Sequence, residues 1–340
     1  MKNHRIGYID AMRGFTMILV VYSHIHLVGY HSLLKNSFNT FFILFRMPLF
    51  FFISGWVLYK ISRIWDIKTI KTFLLNKFQV QIISTIVFFV LYVYLFELNI
   101  INALGAFKAG FWFTYTLFFY FLFYVISIIF SSLFNHNHED LITIAFSFFI
   151  LLIYYITIVD TNQVHKQIYE IIGIPQWRYY VFFVYGILVK KYYNSFTKIT
   201  NNSCIISLII VFFFMLYFFG GNISLPHFDT IKWFLYGFLG IAIILTTFRV
   251  NGSFFDSENS IARSMRYIGR HTLDIYLLHH FFLPRSLSEL GLYFQTNSNP
   301  VLELFATLVL AMIVIAICLV VSKVLRVSPI LGHYLFGQKI

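Results

Sequence analysis

The chain contains uninterrupted apolar stretches as long as a bilayer is thick. Residues 204–219 read CIISLIIVFFFMLYFF and residues 304–322 read LFATLVLAMIVIAICLVVS, neither with a charge. About 20 helical residues cross a hydrocarbon core, and a helix satisfies its own backbone hydrogen bonds there. The runs are continuous rather than alternating at period two, which argues against a membrane β-barrel. Ten such runs are read, at 9–31, 38–60, 79–98, 111–133, 140–159, 174–192, 204–220, 230–249, 266–285 and 301–325. The expected fold is an all-α, polytopic integral membrane helical bundle of about ten transmembrane helices. No repeat or long linker divides it, so residues 1–340 are read as a single membrane-embedded domain. Composition agrees. Apolar residues make up 59% and charged residues 11%, against about 45–50% and 25% in soluble domains. Mean hydropathy is +0.79. A soluble enzyme, a disordered chain and a nucleic-acid-binding domain are excluded.

The formal charge of +12 fits an excess of Lys and Arg on cytoplasmic loops. With the N-terminus inside, 16 of the 25 basic residues fall on the cytoplasmic side and 6 outside, and Arg13, Arg46 and Arg270 lie within runs. Both termini are therefore expected in the cytoplasm. The loop with His136, His138, Glu139 and Asp140 dissents, being cytoplasmic without Lys or Arg. Cys204 and Cys318 sit in separate apolar runs, so neither disulfide nor zinc–thiolate chemistry is indicated. The first run carries Arg13 and His24 and no small-residue cleavage site, unlike a removed signal peptide.

An ionisable group inside a span costs about 2.5–3.5 kcal/mol on the insertion scale and demands a partner or a wet cavity. Asp10, Arg13 and His24 all lie in the first run. Arg13 and His24 are eleven positions apart, which returns them to within about 20° of one face, about 16 Å apart along the axis. Asp10 shares that stripe three positions before Arg13, at ion-pair spacing. His26, two positions past His24, points about 200° away. In the second run, FRMPLFFFISGW holds Arg46 deep in the span, Pro48 as a kink, and Ser54-Gly55 as a point of close helix contact. The ninth run, RYIGRHTLDIYLLHHFFLP, pairs Arg270 with Asp274 at i, i+4 and places His279 and His280 deeper. Adjacent helical residues face different ways, so at most one of these histidines is expected to share a site with His24. No carboxylate or cysteine stands at ligand spacing, and no metal is expected. Trp112, in GFWFTYTLFFYFLF, reads first as an interfacial aromatic.

The segments IDAMRGFTMILVVYSH, FRMPLFFFISGWVL, FWFTYTLFFYFL, FFVYGILVKKY and IGRHTLDIYLLHH run in order from residue 9 to 280. Together they resemble the bacterial acyltransferase-3 family of integral membrane O-acyltransferases. TLDIYLLH resembles its fucose 4-O-acetylase-like sub-group. The resemblance implies an acyl-CoA donor, usually acetyl-CoA as co-substrate with no bound cofactor, and a glycan hydroxyl as acceptor. It implies a bacterial cytoplasmic-membrane enzyme, and points to Arg13 and His24 as essential, with Asp10, Arg46, Ser54, Trp112 and His279 in support. Asp274, on the same run as His279, joins the substrate-binding set. The family commonly carries Arg-x-x-Arg before the third span. Here that stretch is NKFQVQ, so Lys77 alone keeps the charge, with Lys68 and Lys71 at i, i+3 earlier in the 61–78 loop.

In that frame His24 is the general base, Arg46 steadies developing negative charge, and Arg13 with Lys68, Lys71 and Lys77 meets the CoA phosphates. No GxSxG, HEXXH, P-loop or dinucleotide fingerprint is present. A multispan transporter or flippase would also need intramembrane charge, but Pro48 and Pro284 are related by no inverted repeat. A membrane scaffold leaves the shared face of Asp10, Arg13 and His24 without a reason.

Overall fold

The computed structural model describes residues 6–31, 37–60, 63–134, 138–160, 162–220, 228–297 and 299–338. About 85% of them are helical, with no strand among them. The fold is an all-α polytopic membrane bundle. Seven helices are long and apolar enough to cross a bilayer: Gly7–Gly29, Phe38–Leu58, Ile67–Leu95, Trp112–Ser132, Glu139–Val159, Phe228–Val250 and Pro300–Leu325. An eighth candidate is the pair Tyr193–Thr200 and Ser203–Phe219, bent by 81°. The other two runs read from the sequence are broken helices. Residues 174–192 begin as the 3-10 turn Ile174–Tyr179, with Pro175 in its first positions, before the helix Tyr180–Lys191. Residues 266–285 are split at His271, which leaves helical geometry at φ −109° and ψ 22° between Ser260–Arg270 and Thr272–Phe282. Both chain ends, with Lys2, Arg5 and Lys339, lie outside the described residues, as do Lys35 and His136.

Two compact units divide the chain: Met1–Ile53 with Val189–Val320, and Ser54–Leu188 with Val321–Ile340. In the first, the helix Gly7–His24 continues as a π-helical turn, Ile25–Gly29. It packs along Ser260–Arg270. Contact is close because two glycines meet: a Cβ on Gly14 would overlap the Met265 carbonyl, and one on Gly269 would overlap the Asp10 carbonyl. Small residues let helix backbones approach in this way where lipid offers no hydrophobic drive to association. Farther along, a Cβ on Gly29 would stand 2.9 Å from the Pro284 carbonyl oxygen. Leu19, Phe45, Phe213, Leu216 and Tyr236 form an apolar core, and the Tyr236 hydroxyl donates to the Leu216 carbonyl at 2.7 Å. Pro48 gives no N–H to the Leu44 carbonyl, and the helix loosens into turns at 43–45 before Arg46–Leu58.

In the second unit the third span starts earlier than expected. Asp66 caps it by accepting from the Thr69 N–H at 2.9 Å, and Ile67–Lys77 is already helical. The basic 61–78 stretch is therefore mostly helix, running through the π turn Phe78–Ile83 into Ser84–Leu95. Gly55 makes the expected close contact: a Cβ there would overlap the Phe183 carbonyl. Tyr120, Phe121, Phe123, Tyr180 and Phe183 pack through tilted and edge-on ring contacts, with Tyr180 stacked on Phe183. Of the 18-residue apolar window in Glu139–Val159 only 17% is buried, so most of that apolar helix surface is exposed.

Candidate functional site

The polar face of the first helix is laid against the segment 260–282. Asp10, 3% exposed, accepts from Arg270 Nε at 3.2 Å. Arg13 Nη2 donates to Thr272 Oγ1 at 2.9 Å. His24 Nδ1 stands 3.2 Å from His279 Nε2. The three groups expected on one face thus meet partners on one stretch of chain. Arg270 bonds Asp10 instead of making its expected i, i+4 pair with Asp274. The break at His271 lies between those two residues and removes the helical register the pair requires. Asp274 itself is buried near the start of Thr272–Phe282.

Hydrogen bonding fixes the tautomers around His24. His279 Nδ1 lies 3.0 Å from the Ile275 carbonyl oxygen and 2.8 Å from that of Tyr276. Carbonyls only accept, so Nδ1 carries the proton and Nε2 the lone pair. With His279 Nε2 as acceptor, His24 Nδ1 is assigned as the donor, which puts the His24 lone pair on Nε2; His24 also hydrogen-bonds the Val20 backbone. His280 is also at the site, contrary to the expectation that only one of the adjacent histidines shares it. The His24 ring centroid is 4.9 Å from that of His279 and 4.8 Å from that of His280. The reason is placement: the His279 and His280 centroids are only 4.0 Å apart, and the His24 ring lies beside both, at the apex of a triangle. Arg46, half-buried, acts on His24 through its charge.

A second polar cluster in this unit lies outside the residues that the sequence singles out. Glu303, 1% exposed, accepts from Tyr22 Oη at 2.7 Å, Ser37 Oγ at 2.9 Å and Thr307 Oγ1 at 3.0 Å, and pairs with His26 Nε2. Tyr30 Oη joins Thr307 Oγ1 at 2.8 Å. The signal was available. Glu303 is a carboxylate inside an apolar run, and the cost argument that singled out Arg13 and Arg46 applies to it equally.

The second unit holds the remaining expected residues. Ser54 is half-buried beside Gly55. Trp112 stacks on Tyr179 at 5.8 Å and 29°. Lys68 and Lys71 are exposed on the Ile67–Lys77 helix. Lys77 lies over the Phe121 ring at 4.5 Å and the Phe73 ring at 5.7 Å. Lys108, between two spans, donates to the Glu170 and Ile171 carbonyls at 2.9 and 3.0 Å, closing the end of the helix Gln163–Ile172. Its burial pushes the ammonium pKa down to about 8.

No curated protein and no solved structure matches the chain. Residues 6–321, nearly the whole chain, match the acyltransferase domain of the acyltransferase-3 family. The matched stretch contains the polar face of the first helix, the His24–His279 contact and the apolar spans around them. The chain belongs to the acyltransferase-3 family and is a multi-pass membrane acyltransferase.

Proposed function

We propose that the protein is an O-acetyltransferase of the cell membrane. It moves an acetyl group from cytoplasmic acetyl-CoA to a hydroxyl of a cell-surface or lipid-linked glycan. The segment TLDIYLLH supports a place in the fucose 4-O-acetylase-like sub-group. The observation that carries the reading is the hydrogen bond between His24 and His279, which directs the His24 lone pair to Nε2. A neutral imidazole so arranged is a general base for a hydroxyl near pH 7.

Transfer then needs no further reactive group from the chain. His24 Nε2 takes the acceptor's hydroxyl proton as the oxygen attacks the thioester carbonyl. The tetrahedral intermediate collapses with loss of the CoA thiolate, which recovers the proton from the imidazolium. Arg46, whose charge already acts on His24, balances the oxyanion. His279 is a positioning residue that fixes the His24 tautomer. The pantetheine arm is extended, so a nucleotide held near Arg13 would bring its thioester to His24, about 16 Å away by helical rise. Lys68 and Lys71 carry exposed positive charge in the second unit, and the basic-residue count supports placing their helix on the cytoplasmic side, with both termini. Mass spectrometry of surface glycans from cells with and without the protein tests the reading. Loss of an acetyl group with the protein is expected, and an unchanged acetylation pattern would overturn it.

A further inference from the structure

His24, His279 and His280 bring one ring nitrogen each to within 4.8 Å of one another. Two nitrogens sharing a tetrahedral zinc ion at about 2.0–2.1 Å stand about 3.3 Å apart. His24 Nδ1 and His279 Nε2 are 3.2 Å apart. His279 also has the outer support typical of a metal-ligating histidine. Its Nδ1–H is held by the Ile275 and Tyr276 carbonyls, so its Nε2 lone pair points into the cluster. His279 and His280 are buried and His24 is half-buried.

We propose that His24, His279 and His280 form a binding site for a divalent transition-metal ion. Three imidazoles without carboxylate ligands suit zinc, cobalt, nickel or copper and disfavour magnesium and calcium. Zinc, which accepts any tetrahedral arrangement, is the best match. The Arg46 charge near His24 opposes a bare dication and favours an anionic fourth ligand, such as hydroxide or a thiolate. Occupancy has a consequence that rests on the reading of His24 as base. If the metal takes Nδ1, the single ring proton moves to Nε2; if it takes Nε2, the lone pair is spent directly. In both cases the metal blocks transfer.

The experiment uses full-length protein in detergent, stripped with a chelator and titrated with Co²⁺, with zinc content read separately by elemental mass spectrometry. One equivalent of tetrahedral Co²⁺, seen as an intense visible absorption band, is expected. His279→Ala and His280→Ala should each weaken it at least tenfold, while His165→Ala, at an exposed histidine, should not. Absence of stoichiometric binding to the unmodified protein overturns the site whatever the variants do. Binding that survives His280→Ala with unchanged affinity also overturns it. Acetyl transfer is then followed with added Zn²⁺. Inhibition reversed by chelator supports site and base together. Bound metal with undiminished transfer upholds the site and overturns the base reading.

Discussion

Gly14 and Gly269 meet backbone to backbone where the first helix crosses Ser260–Arg270, and no side chain fits between them. The obstacle at Gly269 is the Asp10 carbonyl, which cannot swing aside as a flexible side chain would. Gly269→Ala is expected to push the helices apart at a cost of about 1–3 kcal/mol. Loss of the Arg270–Asp10 bond would accompany it. A lower melting temperature in detergent, with activity falling alongside yield, would bear this out.

His24→Ala and His279→Ala should differ in kind. Removing the base is expected to lower transfer by about 10²–10⁴-fold, with melting temperature near that of the parent. Removing His279 leaves the base present but with its tautomer unfixed. A smaller loss in turnover, with the Michaelis constant for acetyl-CoA unchanged, is expected, and His279→Asn should recover part of it by accepting from His24 Nδ1. Equal losses at the two positions, tracking protein yield, would make both histidines structural.

His26→Ala is no neutral control, although His26 lies off the His24 face. It strips the imidazole from a carboxylate buried in the interior. A hydrogen bond to a buried carboxylate contributes about 1.5–3 kcal/mol, and its loss is softened here by the three hydroxyls that remain on Glu303. A large fall in melting temperature is expected, and adding Glu303→Gln should restore part of it by removing the stranded charge.

Lys68 and Lys71 are exposed, whereas Lys77 is engaged with aromatic rings. Lys68→Gln with Lys71→Gln should raise the Michaelis constant for acetyl-CoA by about 2–30-fold, the range for two exposed charge contacts. Added salt should shrink the difference, because such contacts are screened within about 8–10 Å. Lys77→Gln should act instead through stability. A Michaelis constant that ignores the Lys68 and Lys71 changes moves the donor contacts elsewhere, with Lys190 and Lys191 next to be tried.

Lys108 predicts a pH response outside the spans. Its pKa in the folded protein is about 8 because burial disfavours the charged form, against about 10.4 when unfolded. Between those values the unfolded chain holds more protons, so stability rises with pH across the window and is lowest below it. Hydrogen exchange of Gln163–Ile172, corrected for intrinsic rates, should show protection increasing from about pH 8 to 10.4. Lys108→Met should flatten that dependence while loosening the end of the helix.

The spans were legible because continuous apolar runs admit one solution in lipid. The spacing of Asp10, Arg13 and His24 was legible because it depends on a single helix. What was lost required knowing which helices touch. Arg270 was assigned to Asp274 by helical spacing, but the break at His271 cancels that register and Asp10 is supplied by another helix. Adjacent helical positions point His279 and His280 apart, which suggests that only one shares a site with His24, yet a third ring can sit beside both. The charge of the 61–78 stretch suggests a loop and masks the helix that Asp66 starts.

The π turn Ile25–Gly29 has its own hydrogen-bond signature, with the Tyr30 N–H reaching back five residues to the Ile25 carbonyl at 3.2 Å. It begins directly after His24 and contains His26, so one continuous helix serves two polar clusters with different partners. The turn therefore acts as a phase shifter, and its length matters alongside the His26 and Gly29 that it carries. Deleting one residue between His24 and His26 would leave His24 beside His279 but rotate His26 by about 100° and draw it back about 1.5 Å. The segment should accept Leu27 or Val28 as other apolar residues, and refuse any change in its number of residues.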